Sequence, residues 1–411
     1  MYLVTMISLH PIGRTARATA RRLSLLAACV VLACGEGSGT DVATISVSVQ
    51  PTAALIVGVG RSADFDAVAR DASGALVSRT PLWSLADPEV ASVGVNGVIT
   101  SLAPGKTTVS ATIDGATGTA QLEVYVPEDV AVYEPGVSYF GRGQYVEYIP
   151  GELPVVISSP HGGALTPNEI PDRTYGTIGS DRNTAELTEA VREALIELTG
   201  YAPYVIISRL QRAKLDPNRE IVEAAQQNIY AEQAWHEFQD WISMARVDVE
   251  ERLDRGMYFD MHGHGHAIDR LELGYLLGAD ELNQADALLN SLAAVASSSI
   301  RDLGRDSSLP FSQLLRGPLS FGGFLQGEGV RAVPSPGDPS PGAEPYFTGG
   351  YNTRRHGSRT DGEVIRGIQI EHHFDGLRDT EENRRAYAAK LARVIRAFML
   401  EHYGFFEPVG G

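Results

Sequence analysis

The chain has 411 residues, enough for two or three domains. A hydrophobic fraction of 43% and a charged fraction of 21% suit folded, soluble domains. The formal charge of −17 argues against a nucleic-acid binder, which needs a basic footprint, and says little about the sign of a small substrate.

Residues 1–33 carry Arg14, Arg17, Arg21 and Arg22 and no acid, and they close on an apolar run from Leu23 to Ala33. That run is too short to span a bilayer. It leads into Val31-Leu32-Ala33-Cys34 and then Gly-Glu-Gly-Ser-Gly, which resembles a bacterial lipoprotein signal with Cys34 as the lipidated first residue. Leu26-Ala27-Ala28-Cys29 is an alternative with a shorter apolar stretch, and a plain signal peptide is a third reading. Each of them exports the protein. Lipid on Cys34 would tether it to the bacterial cell envelope, on a periplasmic or surface face, without a spanning helix. Cleavage there would leave a single cysteine, so no internal disulfide would brace the exported chain.

A Gly/Ser linker, 34–41, precedes an all-β pattern over 42–126. Apolar residues alternate in Ile45-Ser46-Val47-Ser48-Val49 and in Ala120 to Val126, and turn signals at Asp71 to Gly74, Asn96-Gly97 and Pro104-Gly105 separate the runs. Several short strands in one such segment predict a β-sandwich. The pieces Trp83-Ser84, Val90-Ala91-Ser92-Val93, Gly97-Val98-Ile99-Thr100 and Pro104 to Val109 resemble the group 2 bacterial immunoglobulin-like domain. That resemblance implies a spacer or adhesion module without chemistry, with Trp83 in its core.

Residues 127–151 read as a second linker, and 152–405 as an α/β domain. Val155-Val156-Ile157, Tyr204 to Ile207, Tyr258-Phe259-Asp260 and Ile368-Gln369-Ile370 predict buried strands. Thr184 to Leu198, Ile221 to Arg252, Glu281 to Ala296 and Glu381 to Glu401 have helical periodicity. Such alternation predicts a mostly parallel or mixed central sheet flanked by helices. Pro334 to Pro345, with five prolines, reads as a surface loop.

Polar motifs cluster where those strands end, the usual place for ligands in open α/β sheets. His161 follows the first strand, Arg209 and Arg212 the second, and Glu371 the fourth. The third runs into Asp260-Met261-His262-Gly263-His264-Gly265-His266, where strand-like alternation would put three histidines on one face. Catalytic zinc usually takes three ligands from His, Asp and Glu. His161 and His262 are the best two, and the third should be a carboxylate.

The ordered segments Pro160-His161-Gly162-Gly163, Ser180 to Thr184, Arg212 to Arg219, Asp260 to His264 and Ile370-Glu371 resemble the N-formylglutamate amidohydrolase family. More distantly they are similar to the zinc carboxypeptidase and aspartoacylase group. The resemblance runs from about Leu153 to Tyr403 and implies a phosphorylase/hydrolase-like fold, a Zn2+ cofactor and cleavage of a C–N amide bond. It points to Asp181 as the third metal ligand, with Glu169 and Glu186 as alternatives. It also implies that Glu371 activates zinc-bound water and later protonates the leaving amine. Arg212 would polarise the scissile carbonyl. Asn218 and Arg219 would grip a substrate carboxylate, with Arg354 a further candidate. From the residues alone, the histidine run could bind metal as a cluster of its own or, with His262 as the ligand, turn His264 and His266 to substrate, and Asp260 could fix a ligand histidine's tautomer.

The expected partner is thus a small molecule or peptide carrying a carboxylate, such as an acidic N-acyl amino acid or a cell-wall-type peptide. The sequence suggests no obligatory protein partner. The competing reading is a non-catalytic surface-binding or adhesion lipoprotein on a hydrolase-like fold.

Overall fold

The computed structural model describes residues 45–358 and 362–406. The leader, Cys34 and the 34–41 linker lie outside the described residues. Among the described residues no helix is long and apolar enough to cross a membrane.

Residues 46–125 form three small sheets. Strand Ser46–Gln50 pairs with Asp66–Arg70, and Ser62–Asp64 with Val98–Ser101, both antiparallel. The long hairpin Gly105–Ile113 and Ala116–Tyr125 anchors the third sheet, joined in parallel by Ala53–Val57. Period-2 alternation sends Val49, Ile56, Phe65, Ile99, Val109, Ala111, Leu122 and Val124 into one apolar cluster shared by all three sheets. Trp83 packs against that cluster, half-buried.

The larger part is built on an eight-stranded mixed sheet. Its centre is four parallel strands in the order Tyr204–Ser208, Val155–Ser159, Gly256–Gly263, Ile365–His372. The expected buried strands all lie within these four. From Val155–Ser159 the chain goes first to the neighbour on one side and then to the one on the other. That reversal opens a crevice beyond the carboxyl ends of Val155–Ser159 and Gly256–Gly263.

Side chains alternate across the sheet. Val155, Ile157, Val205, Ile207, Met257, Phe259, Met261, Ile368 and Ile370 pack on the helices Thr184–Thr199 and Glu381–Tyr403. Val156, Tyr204, Ile206 and Tyr258 face the long helix Ile229–Leu253. Both faces are covered, so these four strands are buried almost end to end.

Three expectations change. The stretch 127–151, expected as a linker, supplies strands Tyr139–Phe140 and Val146–Ile149, which extend the larger sheet antiparallel to Tyr204–Ser208. Val146 and Tyr148 enter one core while Ile149 enters the other, so that stretch is buried on both faces. The helix expected over Ile221 to Arg252 divides at Gln226 and Gln227, which have φ of 48° and 65°. Asn228 then caps Ile229–Leu253 by accepting from the N–H groups of Tyr230 and Ala231. Glu281 to Ala296 becomes three short helices, Ala279–Leu282, Asp286–Leu289 and Leu292–Ser297. Asn290 spends its side-chain oxygen on the Ser312 N–H, and Ser291 caps the last helix. Such local bonds compete with helix continuation.

Arg142 joins the two parts. Its guanidinium donates to both oxygens of Glu123, on the hairpin strand, at 2.7 and 2.6 Å. It also donates to both oxygens of Glu169, on the larger part, at 2.6 and 3.1 Å. The Tyr230 ring lies 4.1 Å below it.

Candidate metal centre

His161, Asp181 and His262 meet in the crevice. His161 leaves the Val155–Ser159 strand through Pro160. A Cβ on Gly162 would run into the backbone nitrogen of Ala185, and one on Gly163 into the Arg209 carbonyl group. The turn after His161 therefore threads between a helix start and a neighbouring strand end, and glycine alone fits. Asp181 stands two residues before Asn183, which caps the helix Thr184–Thr199 from the left-handed region at φ 65°. His262 lies one residue before the end of its strand. The register Ser158↔Asp260 brings the two strand ends side by side.

All three residues are buried. The Nδ1 atoms of His161 and His262 each lie 3.2 Å from the same atom, Asp181 Oδ2. The rings are 4.8 Å apart. Each Nε2 meets a different buried aspartate: His161 donates to Asp216 Oδ1 at 2.7 Å, and His262 to Asp260 Oδ2 at 2.9 Å. A neutral imidazole carries one proton, and on each ring an aspartate claims it at Nε2. With both rings neutral, two lone pairs would point at one anionic oxygen. That arrangement calls for positive charge between them, a proton on Nδ1 or a metal cation; the Gly263 N–H also donates to Asp181 Oδ2, at 3.1 Å. One potential ligand atom from each of the three residues falls within 4.8 Å of the others. The donor set, two imidazoles and a carboxylate with both rings oriented by outer carboxylates, could hold a metal ion.

The electrostatics agree. Burial works against charge on His262, yet Asp260 and Asp181 raise its pKa well above the ordinary value. Burial likewise opposes ionisation of Asp181, but His161 and His262 hold its carboxyl well below the usual range. Asp216 is also depressed, burial being overcome by His161 and then Arg212. The pocket favours positive charge at the centre.

Glu371 pairs in register with His262 across the sheet and shares its face. Burial pushes its carboxyl up to about 8, with His262 opposing and Asp181, Glu272 and Asp260 adding to the rise. Gln369 Nε2 donates to its Oε1 at 2.9 Å. A carboxyl so placed can hold a proton near neutral pH.

Arg212 is buried, with Nε on Asp216 Oδ2 at 2.9 Å and Nη1 at 3.6 Å from Asp181 Oδ1. Asn218 lies with Nδ2 at 3.3 Å from His262 Nε2, and its Oδ1 accepts from the Asn352 N–H. Arg219 is half-buried, bonded to the Asn218 carbonyl and 3.4 Å from Glu223.

Other expected residues fall elsewhere. Glu169 is taken by Arg142 and Tyr145, and Glu186 is exposed on its helix, which leaves Asp181 as the carboxylate at the centre. Arg354 is exposed on Tyr351–His356, whose inward residues are Asn352, Thr353 and His356. No described contact brings Arg354 to the centre. His264, expected to face substrate, is buried with both ring nitrogens used, Nε2 donating to the Arg270 carbonyl and Nδ1 accepting from the His266 N–H. The strand ends at Gly263, so alternation does not carry His264 and His266 onto the face of His262. His266 instead donates to Glu272 at 2.8 Å and stacks on Phe347. Glu272 also accepts from the Phe347 N–H. His264, His266 and Glu272 also have a metal-like spacing. Their protons already have partners, so hydrogen bonding alone accounts for them.

Two residues went unmarked in the sequence. Asp216 stood within the Arg212 to Arg219 motif, and a lone acid between basic residues was its only signal. Arg378, whose guanidinium donates to the His264 and His372 carbonyls, is the other, and its loop has no periodicity to flag it.

No family model matches the chain. No curated protein matches it either. Among solved structures it is similar to N-formylglutamate amidohydrolase from Ralstonia eutropha JMP134, with 13% identity, a TM-score of 0.38, and coverage of 63% of this chain and 98% of that one. A gene product from Agrobacterium tumefaciens gives 14% identity and a TM-score of 0.37, with coverage of 64% and 97%. A putative carboxypeptidase A from Shewanella denitrificans gives 10% and 0.29, with coverage of 89% and 98%. These likenesses are distant, and the chemistry of the centre stands on its own geometry.

Proposed function

We propose that this chain is an exported, metal-dependent hydrolase that cleaves a C–N amide bond. The observation that carries the reading is the convergence of two aspartate-anchored imidazoles on one oxygen of Asp181. His161, Asp181 and His262 would hold the ion, Zn2+ by its donor set. When bound, it would polarise the scissile carbonyl and lower the pKa of water.

The chain's own groups supply the rest. Glu371 takes a proton from the attacking water and returns it to the leaving nitrogen, a task suited to a carboxyl titrating near neutrality. Arg212, fixed by Asp216, offers a cation for the developing oxyanion. Asn218 and Arg219 lie beside it, where a substrate carboxylate would bind. The substrate class is an acidic N-acyl amino acid, or a peptide of cell-wall type, outside the cytoplasm. Lipid on Cys34 and an immunoglobulin-like spacer over 42–126 would carry the domain at the envelope.

The test is zinc content together with hydrolysis of N-acyl amino acids and peptides by wild type, His262→Ala and Glu371→Ala. Stoichiometric zinc and amide cleavage are expected in the wild type, zinc loss in the first variant, and cleavage lost with zinc retained in the second. Full activity after chelation and in both variants overturns the proposal.

A further inference from the structure

Arg378 is buried on the loop that follows the Ile365–His372 strand. Its guanidinium reaches three separate segments. Nε donates to the His372 carbonyl at 3.2 Å, Nη2 to the His264 carbonyl at 3.2 Å, and Nη1 to the Arg182 carbonyl. Those residues stand one beyond Glu371, two beyond His262 and one beyond Asp181. Asn183 Nδ2 returns the tie by donating to the Arg378 carbonyl at 2.8 Å. A further bond, His264 N–H to the His372 carbonyl at 3.0 Å, joins two of the segments directly.

The space around this group is committed to it. A Cβ on Gly263 would come within 2.5 Å of the guanidinium carbon. Glycine therefore follows His262 so that the arginine can pass against the backbone. Phe374 covers the guanidinium at 5.0 Å. Its bonds go to carbonyl oxygens and to no carboxylate, and a planar fork with fixed donor directions suits that task where an ammonium does not.

We propose that Arg378 is the positioning residue of the centre. It acts as a single clamp that sets Asp181, His262 and Glu371 relative to one another by holding the backbone just beyond each. This rests on the reading of those residues as one site. Arg378 acts through them and is not itself a catalytic residue.

The experiment uses the full chain as wild type, Arg378→Lys, Arg378→Met and Gly263→Ala. Amide hydrogen exchange is followed in metal-free protein, and Zn2+ affinity is measured separately by chelator competition. Loss of protection by tenfold or more is expected together at the amides of Thr184 and His264, on two different segments, in all three variants. The strands Tyr204–Ser208 and Gly105–Ile113 should keep wild-type protection. Zn2+ affinity should fall about 10- to 100-fold, the range for lost outer support of a metal site. Lysine should not rescue, because charge alone does not reproduce the fork.

Exchange that quickens only within 374–378, or equally across the whole chain, overturns the clamp, as does full rescue by lysine. A wild type that takes up no Zn2+ sinks the hydrolase reading, while the exchange pattern still decides the clamp.

Discussion

His161 and His262 turn their Nδ1 atoms to the same oxygen of Asp181, each at 3.2 Å, while Asp216 and Asp260 hold the opposite edges of the rings. The outer aspartates decide which nitrogen is free. Asp216→Asn and Asp260→Asn should each weaken Zn2+ binding by about 10- to 100-fold. Competition against a chelator of known affinity measures it, and unchanged affinity in both variants would remove the argument for the tautomers.

Glu371 is set beside the centre without being one of its three converging groups. Glu371→Gln should therefore keep the metal and lower the rate of amide hydrolysis by at least about 100-fold, the lower end for general acid–base catalysis. Metal analysis and steady-state rates on the same preparation check it. Parallel loss of metal and activity would recast Glu371 as a ligand.

His356 predicts a pH effect on stability. It is buried, donates through Nε2 to Gln239 Oε1 at 2.7 Å, and has no partner for Nδ1. Burial, then Arg246 and Arg355, drive its pKa well below the ordinary value. The unfolded imidazole takes up a proton as pH falls through about 6.5, and the folded one does not. Its contribution is therefore complete above that pH and is lost as pH drops below it, by up to about 1.4 kcal/mol per unit. His356→Gln can keep the hydrogen bond without the titration. Urea unfolding from pH 7.5 to 5 should show a shallower decline in the variant than in the wild type. Identical slopes would contradict this.

Arg142→Met should destabilise the chain by about 3 kcal/mol, because Glu123 and Glu169 lose their buried guanidinium and keep only the exposed ammonium of Lys106, at 3.3 and 3.7 Å. Replacing Glu123 and Glu169 by Gln in the same background should recover part of that loss. Chemical denaturation of the single and triple variants gives the comparison.

The strands and the two histidines were legible because apolar runs ended in polar motifs at matched positions, and a parallel sheet brings such ends together. Asp181 came from family resemblance and not from its own surroundings. Asp216 and Arg378 were not legible as site residues. Their roles depend on contacts across 55 positions for Asp216 and 114 and 196 for Arg378. Nothing local to either residue encodes those contacts. His264 and His266 misled for a physical reason: alternation holds only while the strand lasts, and the strand stops at Gly263. The long helix expected at Glu281 to Ala296 misled similarly, since three short helices in series keep much the same apolar spacing as one.

The Arg142 joint has a consequence for proteolysis. The chain from residue 126 to 138 runs outside regular structure between hairpin and sheet. Glu123 and Glu169, on opposite sides of that stretch, are both gripped by the buried Arg142 and paired with the exposed Lys106. A protease that nicked the backbone there would cut the covalent path and leave the electrostatic one. The two fragments should therefore travel together until acid or denaturant breaks the grip.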